Sequence, residues 1–579
     1  MQRRLWLLAG AGAAVLMIAA SATATTKVAG SAKGSTLAAA PFAQAWANVP
    51  KTAAARKAKS VLVFGMEQDV TGFNTGEESQ NAYWAALTGN TPTLRGNYII
   101  DDKGNYHLDL ASKVTATSKT LTITIRPDAF WYWEGHPKAA VTYRDYVYTW
   151  QQIVNKANTP ASTTGYDQIT GFTHKGERQI TFQWSKPFAD YQDLFGLVYP
   201  SAAVAGLNWN TMWADCVCGN DGKPVSDGPF FMSNYTKGQG LTLKPNPTWY
   251  GKTPALKEVD FKLITDTNSE IQAMRGGEVD AINPSPQTAL SQLVNQSGLK
   301  YSSLPGFTQE HLDLGQGGTA MPLLKQLWFR QAIALGINRT SLIKALYATI
   351  APGLKPLNNP FYEIGTNAVP HFNEYAFSQK KSIALFKAHG CTGGPSVPTR
   401  NNTSFWTCAG VPAAVRFTTT AGNQRRATSA AIFSQQLQAV GIKVNVGFQP
   451  ANPNFFGQTL PTHDFDVAEF AWLGGPDPSG FDAIYQCQDN AKNLGGSNYK
   501  LYCNKTVDAL LTKGESDLNP VSRTATYQKA AKIVSHDIAV IPLYSPPQIL
   551  VYKSAIKGMD HSNNPTLLGP TWNIEQWSW

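Results

Sequence analysis

Six cysteines and two close pairs of acids are the residues whose types and spacing could do chemistry in this 579-residue sequence. Asp101 with Asp102, and Asp464 with Asp466, offer carboxylates for general acid–base work. Paired acids for glycoside hydrolysis usually come from distant segments, and these pairs sit at turns or beside a strand, so solvated or capping roles are expected of them. The sequence carries no His-Glu-x-x-His, no Gly-x-Ser-x-Gly elbow and no phosphate-cradling Gly-x-x-x-x-Gly-Lys, and its nine histidines are scattered. An enzyme is therefore not the expectation. Six cysteines allow fifteen connectivities. Proximity favours Cys391–Cys408 and Cys487–Cys503, each closing a short loop rich in turn residues, and leaves Cys216 and Cys218 for a strained local bridge. No histidine stands at ligand spacing near Cys216-x-Cys218, so zinc is disfavoured, and no cofactor is implied.

Disulfides need an oxidising compartment, and the N-terminus supplies the route to one. Gln2-Arg3-Arg4 is a short positive region, an apolar run follows from Leu5 to about Ala20, and Ala20-Ser21-Ala22 and Ala22-Thr23-Ala24 are small-x-small cleavage sites. Residues 1–24 thus read as a secretory signal peptide, with a retained membrane anchor as the competing reading. The first cysteine is Cys216, so no lipobox cysteine stands at the boundary. Residues 25–58, mostly Ala, Ser, Thr, Gly and Lys, read as a flexible tether. The mature protein is expected outside the cytoplasm: periplasmic, cell-surface or secreted.

The elements that must position any site follow from periodicity. Leu121, Ile123 and Ile125 alternate, as do Ile180, Phe182 and Trp184, and Val259, Phe261 and Leu263, which predicts strands. Phe433, Leu437 and Val440 share a helical face, Gly441 caps it, and Ile442, Val444, Val446 and Phe448 alternate as the next strand. Leu324, Trp328, Ala332 and Leu335 form another helical stripe, and Tyr527, Ala531, Val534 and Ile538 a third. Asp266-Thr267 opens a helix, Gly276-Gly277 closes it, and Glu278 to Ile282 follows as a strand. Mixed elements over several hundred residues indicate an α/β protein of two or more domains. The formal charge of +10 is spread thinly, without the clustered footprint of nucleic-acid binding.

Several blocks together resemble the peptide- and oligopeptide-binding proteins of ABC importers, the family-5 extracellular solute-binding proteins. Leu121 to Arg126, Phe130 to Trp133 and Val141 to Val147 look like that family's strand-then-helix block. Asp227-Gly228-Pro229-Phe230-Phe231 with Asn246 to Gly251, and Val259 to Ile282 with its Gly277-Glu278-Val279-Asp280, are similar to further family segments. Phe329 to Arg339, Gln436 to Val444, Asp464 to Trp472 with Asp477-Pro478, and Arg523 to Tyr544 continue the order across about 60–560.

The resemblance implies a two-lobed periplasmic-binding-protein-like fold with an extra subdomain and a hinge of two crossings. The first lobe would take 59–88, 226–304 and 546–579, its extra subdomain 89–225, and the second lobe 305–545. The hinges would fall near Leu304-Pro305-Gly306 and Pro546-Pro547. It further implies a monomer that captures a peptide or peptide-like solute and offers it to a membrane permease, breaking no bond. A non-peptide solute on the same fold, or a secreted hydrolase, is the alternative. Trp472 matches the family's cleft tryptophan. Many peptide binders carry, three residues later, an Asp for the ligand's α-ammonium; Gly475 stands there in Trp472-Leu473-Gly474-Gly475-Pro476-Asp477. Either another acid takes that role or the ligand has no buried ammonium, because a buried cation without a carboxylate would cost several kcal/mol. Gly474 and Asp477 belong to the same loop, and Phe73, Asn74 and Tyr83 are expected at the first lobe's rim.

Overall fold

A computed structural model describes residues 60–487 and 497–579. The expected signal peptide, 1–24, and tether, 25–58, lie outside the described residues.

The chain builds two principal sheets. The first has seven strands in the order Phe230–Thr236, Gly240–Pro245, Glu258–Leu263, Val61–Met66, Ala281–Ile282, Pro547–Lys553 and Leu299–Pro305. Val61–Met66 runs parallel to both its neighbours and buries Leu62, Phe64 and Met66 completely, the alternation of a strand packed on one face. The second sheet orders Lys443–Gln449, Ala414–Thr420, Val467–Leu473, Thr308–Leu314 and Val540–Tyr544, with its first three strands parallel.

A four-stranded antiparallel sheet, Ala111–Ala116, Thr120–Ile125, Gln179–Trp184 and Ile169–Lys175, forms a separate layer within residues 111–184. The alternating Leu121, Ile123, Ile125, Ile180, Phe182 and Trp184 are all buried there. The helix Tyr143–Val154 begins on a capping box: the Thr142 hydroxyl receives the Arg144 N–H, and the Asp145 carboxylate receives the Thr142 N–H at 2.8 Å.

The principal sheets are joined at two adjacent points. Leu299–Pro305 pairs with Pro547–Lys553 on one side, and Thr308–Leu314 pairs with Val540–Tyr544 on the other. Gly306-Phe307 and Ser545-Pro546 therefore carry the chain across side by side, and the buried Ser545 hydroxyl donates to the Gly306 carbonyl. This is the two-lobed architecture with two crossings.

Two local outcomes differ from what periodicity predicts or add to it. The expected strand Glu278 to Ile282 shortens to Ala281–Ile282. The fully buried Asp280 carboxylate instead accepts the Val63 N–H at 2.9 Å and the Lys553 ammonium at 2.5 Å, so a side chain locks three strands together where backbone pairing was expected. Gly441 takes φ +86° between the helix Gln424–Gln438 and the strand Lys443–Gln449, a turn that favours glycine. That strand lies at the sheet edge, which leaves Val446 and Phe448 exposed. Cys216–Cys218, Cys391–Cys408 and Cys487–Cys503 are all bonded, the pairing that sequence proximity favours.

Candidate functional site

In open α/β sheets, ligands bind beyond the carboxyl ends of the parallel strands. In the first lobe those ends deliver Glu67 and Asn283. The Glu67 carboxylate accepts the Thr267 hydroxyl at 2.7 Å and both the N–H and hydroxyl of Ser285 at 2.8 Å. Tyr83 donates its hydroxyl to Asn283 Oδ1 at 2.7 Å, and Asn283 Nδ2 donates to the Ile549 carbonyl at 2.7 Å. Ile549 lies just past the second crossing, so this polar pair is fastened to the hinge. Burial, aided by the nearby Glu67 charge, pushes the Tyr83 hydroxyl above its ordinary range and keeps it a proton donor.

In the second lobe the corresponding ends are Thr420, Gln449 and Leu473. Trp472 is buried near two rings: His311 lies 6.1 Å away with planes 10° apart, and Tyr499 lies 5.8 Å away with planes 19° apart. Among the described residues, its indole N–H meets no acceptor. The Gly474 N–H donates to the Phe307 carbonyl at 2.8 Å, which ties this loop to the first crossing. A Cβ at Gly474 would stand 2.5 Å from Glu363 Oε1 and 2.8 Å from the Phe307 carbonyl oxygen, so a larger residue does not fit. The adjoining Gly475 faces open space.

Glu363 is buried, and burial holds its carboxyl well above the usual carboxylate range, a shift that its own backbone N–H opposes only partly. Among the described residues, the Gln309 side-chain Oε1 and the Tyr485 hydroxyl are buried without a hydrogen-bond partner. Deeper in the same lobe, Lys500 pairs with Asp313 at 3.4 Å, both fully buried, and donates to the Ile484 carbonyl at 3.0 Å. Burial lowers the pKa of His311, which keeps the imidazole neutral against Trp472.

The remaining sequence-derived candidates have other partners. The Asp477 carboxylate accepts from both terminal nitrogens of Arg523 and caps the Ser479 N–H at 2.9 Å. Phe73 is fully buried, edge-on to Tyr235 at 5.0 Å. Asn74 is fully buried too; its amide donates to the Trp209 carbonyl at 2.6 Å and accepts the Tyr199 hydroxyl at 2.5 Å. The structure thus groups Trp472, Gly474 and Gly475 at one crossing and Tyr83 near the other, and encloses Phe73 and Asn74 in the core.

Sequence reasoning passed over Asn283, Gln309, Glu363 and Tyr485. None lies in a motif, and only a buried polar atom without a partner among the described residues marks Gln309 and Tyr485. The lobes also meet away from the hinge, where the Ala189 N–H donates to the Glu515 carbonyl at 2.9 Å and the Ser479 hydroxyl lies 3.4 Å from Asp190. Such a site presents rings, amides, hydroxyls and a buried carboxyl, the equipment of recognition. Among the described residues, no three His, Cys, Asp or Glu side chains converge to hold a metal ion.

Known proteins share this arrangement. The profile for bacterial extracellular solute-binding proteins, family 5, matches residues 105–492. The oligopeptide-binding protein OppA of Mycobacterium tuberculosis is 24% identical over 496 residues, covering 83% of this chain and 78% of that protein. Among solved structures, a periplasmic EDTA-binding protein, EppA, superposes with a TM-score of 0.75 at 20% identity, covering 89% of this chain and 96% of that one. The oligopeptide-binding protein AppA of Bacillus subtilis, in complex with a nonapeptide, gives a TM-score of 0.66 at 19% identity, covering 89% of this chain and 98% of that one. At these identities the structural likenesses establish the fold.

Proposed function

We propose that this chain, which belongs to the bacterial extracellular solute-binding proteins of family 5, captures a peptide or peptide-like solute outside the cytoplasm and delivers it to the permease of an ABC importer. The family is a substrate-binding, non-catalytic component of transport. The observation that carries the reading is the anchoring of both lips to the hinge: Asn283 to Ile549 beside one crossing, and Gly474 to Phe307 beside the other. A solute touching both lips favours the closed arrangement by its differential affinity for that state.

Trp472 and Tyr83 supply ring surface that tolerates many side chains, and backbone groups near Gly474 and Gly475 supply hydrogen bonds indifferent to sequence. A peptide is preferred to a chelate because the oligopeptide-binding protein OppA, at 24% identity, is more similar in sequence than the EDTA-binding neighbour, at 20%.

Native mass spectrometry of protein purified from its own host tests the reading. A co-purified peptide supports it; a co-purified metal chelate or oligosaccharide, with no peptide bound, replaces the solute class and leaves the family intact.

A further inference from the structure

We propose that the seam between residues 186–193 and the second lobe is a proton-dependent latch: the lobes close as Asp190 meets Asp477 and takes up a proton, and they part when Asp190 gives that proton up. This rests on the lobes closing over the cleft at the crossings.

The seam joins two separate cores. Phe188 and Leu194 pack into the core that holds Phe64 of the first sheet and Phe182 of the four-stranded layer. Phe481 and Tyr527 pack into the core of the second lobe that holds Trp472. Polar contacts bridge the two. The Ala189 N–H donates to the Glu515 carbonyl at 2.9 Å, and the Lys186 ammonium pairs with the Glu515 carboxylate at 3.4 Å. The hairpin that joins Tyr98–Ile100 to Tyr106–Leu108 extends the seam. A Cβ at Gly104, near its tip, would stand 3.2 Å from the Phe307 ring and 3.5 Å from Pro476, and Tyr106 donates its hydroxyl to Asp193 at 2.6 Å.

Three carboxylates meet here. Asp190 and Asp193 come from the first lobe, and Asp477 faces them from the second. The cations beside them are committed. Both terminal nitrogens of Arg523 hold Asp477, and its Nε donates to the Gly514 carbonyl at 3.0 Å. Lys186 is taken by Glu515. The Ser479 hydroxyl lies 2.7 Å from Asp477 and 3.4 Å from Asp190, so its single proton is drawn to the nearer acid. Behind Asp477, the buried Asp482 carboxyl accepts the Tyr527 hydroxyl at 2.8 Å and adds a further acid. Closure thus gathers more acids than bases, and like charges at such range cannot all stay ionised.

Burial, with the charges of Asp193 and Asp477, holds the Asp190 carboxyl well above the usual carboxylate range, and Arg523 opposes this only partly. The hydrogen bond shared by the two carboxyls places the proton on Asp190; Asp193 is the exposed member of the pair. When the lobes part, Asp190 leaves Asp477 and regains water, so its carboxyl moves back toward 3.8 and releases the proton. The closed form therefore binds more protons than the open one. The advantage to closure is complete below about pH 4 and is lost as pH rises through the closed-state value.

The test reads closure directly and needs no solute. It uses the whole mature protein, freed of bound solute by unfolding with its disulfides intact and refolding. Spin labels go on Thr173→Cys in the strand Ile169–Lys175 and Val521→Cys in the helix Pro520–His536, both exposed positions. Pulsed electron resonance then gives the ratio of the short, closed distance to the long, open one. In the otherwise unaltered protein that ratio should fall by about tenfold or more between about pH 5 and about pH 8, because one proton of linkage changes it tenfold per pH unit. Asp190→Asn carries no charge at either pH and should stay closed at both. Asp193→Asn removes one repelling charge and should keep the lobes closed to higher pH.

If both distances are populated and their ratio does not move with pH, the latch is overturned while closure of the cleft stands. If Asp190→Asn keeps the original pH slope, the titrating group lies elsewhere and the latch is overturned likewise. A single distance under every condition, with or without a pool of synthetic tetra- to octapeptides, overturns closure itself and the latch with it. Should Asp190→Asn fail to fold, the exposed Asp193→Asn decides, and an unshifted slope in that variant overturns the latch.

Discussion

Arg523 clasps Asp477 with both terminal guanidinium nitrogens, and the two side chains are only about one-tenth exposed. The pair joins the loop that follows Trp472 to the long helix Pro520–His536. Asp477 also caps Ser479, so its two oxygens are already committed. The first carboxylate after Trp472 along the chain is thus engaged in holding the loop.

Breaking that pair from one side should be severe. Arg523→Ala is expected to destabilise the protein by about 3–5 kcal/mol, because a buried carboxylate is left without its cation. The double variant Arg523→Ala with Asp477→Ala should lose less than the sum of the single changes. Urea titrations of the four proteins measure the coupling; strict additivity would show that the pair contributes no interaction of its own.

Trp472 should show two separable roles. Trp472→Ala removes a buried ring that neighbours His311 and Tyr499 and is expected to cost about 3–5 kcal/mol of stability. Trp472→Phe keeps most of the ring surface but removes an indole N–H that has no acceptor among the described residues. It should unfold near the wild-type temperature and bind solute more weakly. Equal affinity of the Phe variant and the wild type, by calorimetry with the co-purified solute, would remove the N–H from the site.

The Cys391–Cys408 bridge closes a loop between residues 17 apart in sequence. Replacing both cysteines with serine should lower stability by about 3 kcal/mol through the freed chain entropy of the unfolded state. A urea midpoint unchanged from wild type would contradict this.

Stability should fall as pH rises through the range of Asp260. Burial in the strand Glu258–Leu263, with Glu258 nearby, pushes its carboxyl up to about 6; the Thr242 hydroxyl at 2.7 Å and Lys244 oppose that shift only partly. The folded state therefore holds a proton that the unfolded state, near its ordinary value of 3.8, gives up. The stabilisation is complete below about pH 4, is lost between there and about pH 6, and is gone above. Asp260→Asn keeps an acceptor for Thr242 and should flatten that slope. Unfolding titrations at intervals across pH 4 to 7 check it; an unchanged slope in the variant would place the linkage elsewhere.

By itself the sequence determined whatever rests on neighbours along the chain. Alternating Leu121, Ile123 and Ile125 make a strand, and Gly441 ends a helix, because periodicity and φ preference act within a few residues. Cysteines 17 and 16 residues apart find each other because short loops close readily. The ordered blocks across the chain carried the family and, with it, the two lobes.

Only the tertiary structure decided which polar groups were left over once the lobes had packed. Glu363 and Gly474 are more than a hundred residues apart and meet only because the Asn359 turn lies beside the first crossing. Asn283 reaches Ile549 across 266 residues. Asn74, a rim candidate by position, is consumed by Tyr199 and Trp209 from a distant segment. A side chain's freedom to bind a solute depends on whether some remote group has already satisfied it, and sequence spacing holds no record of that.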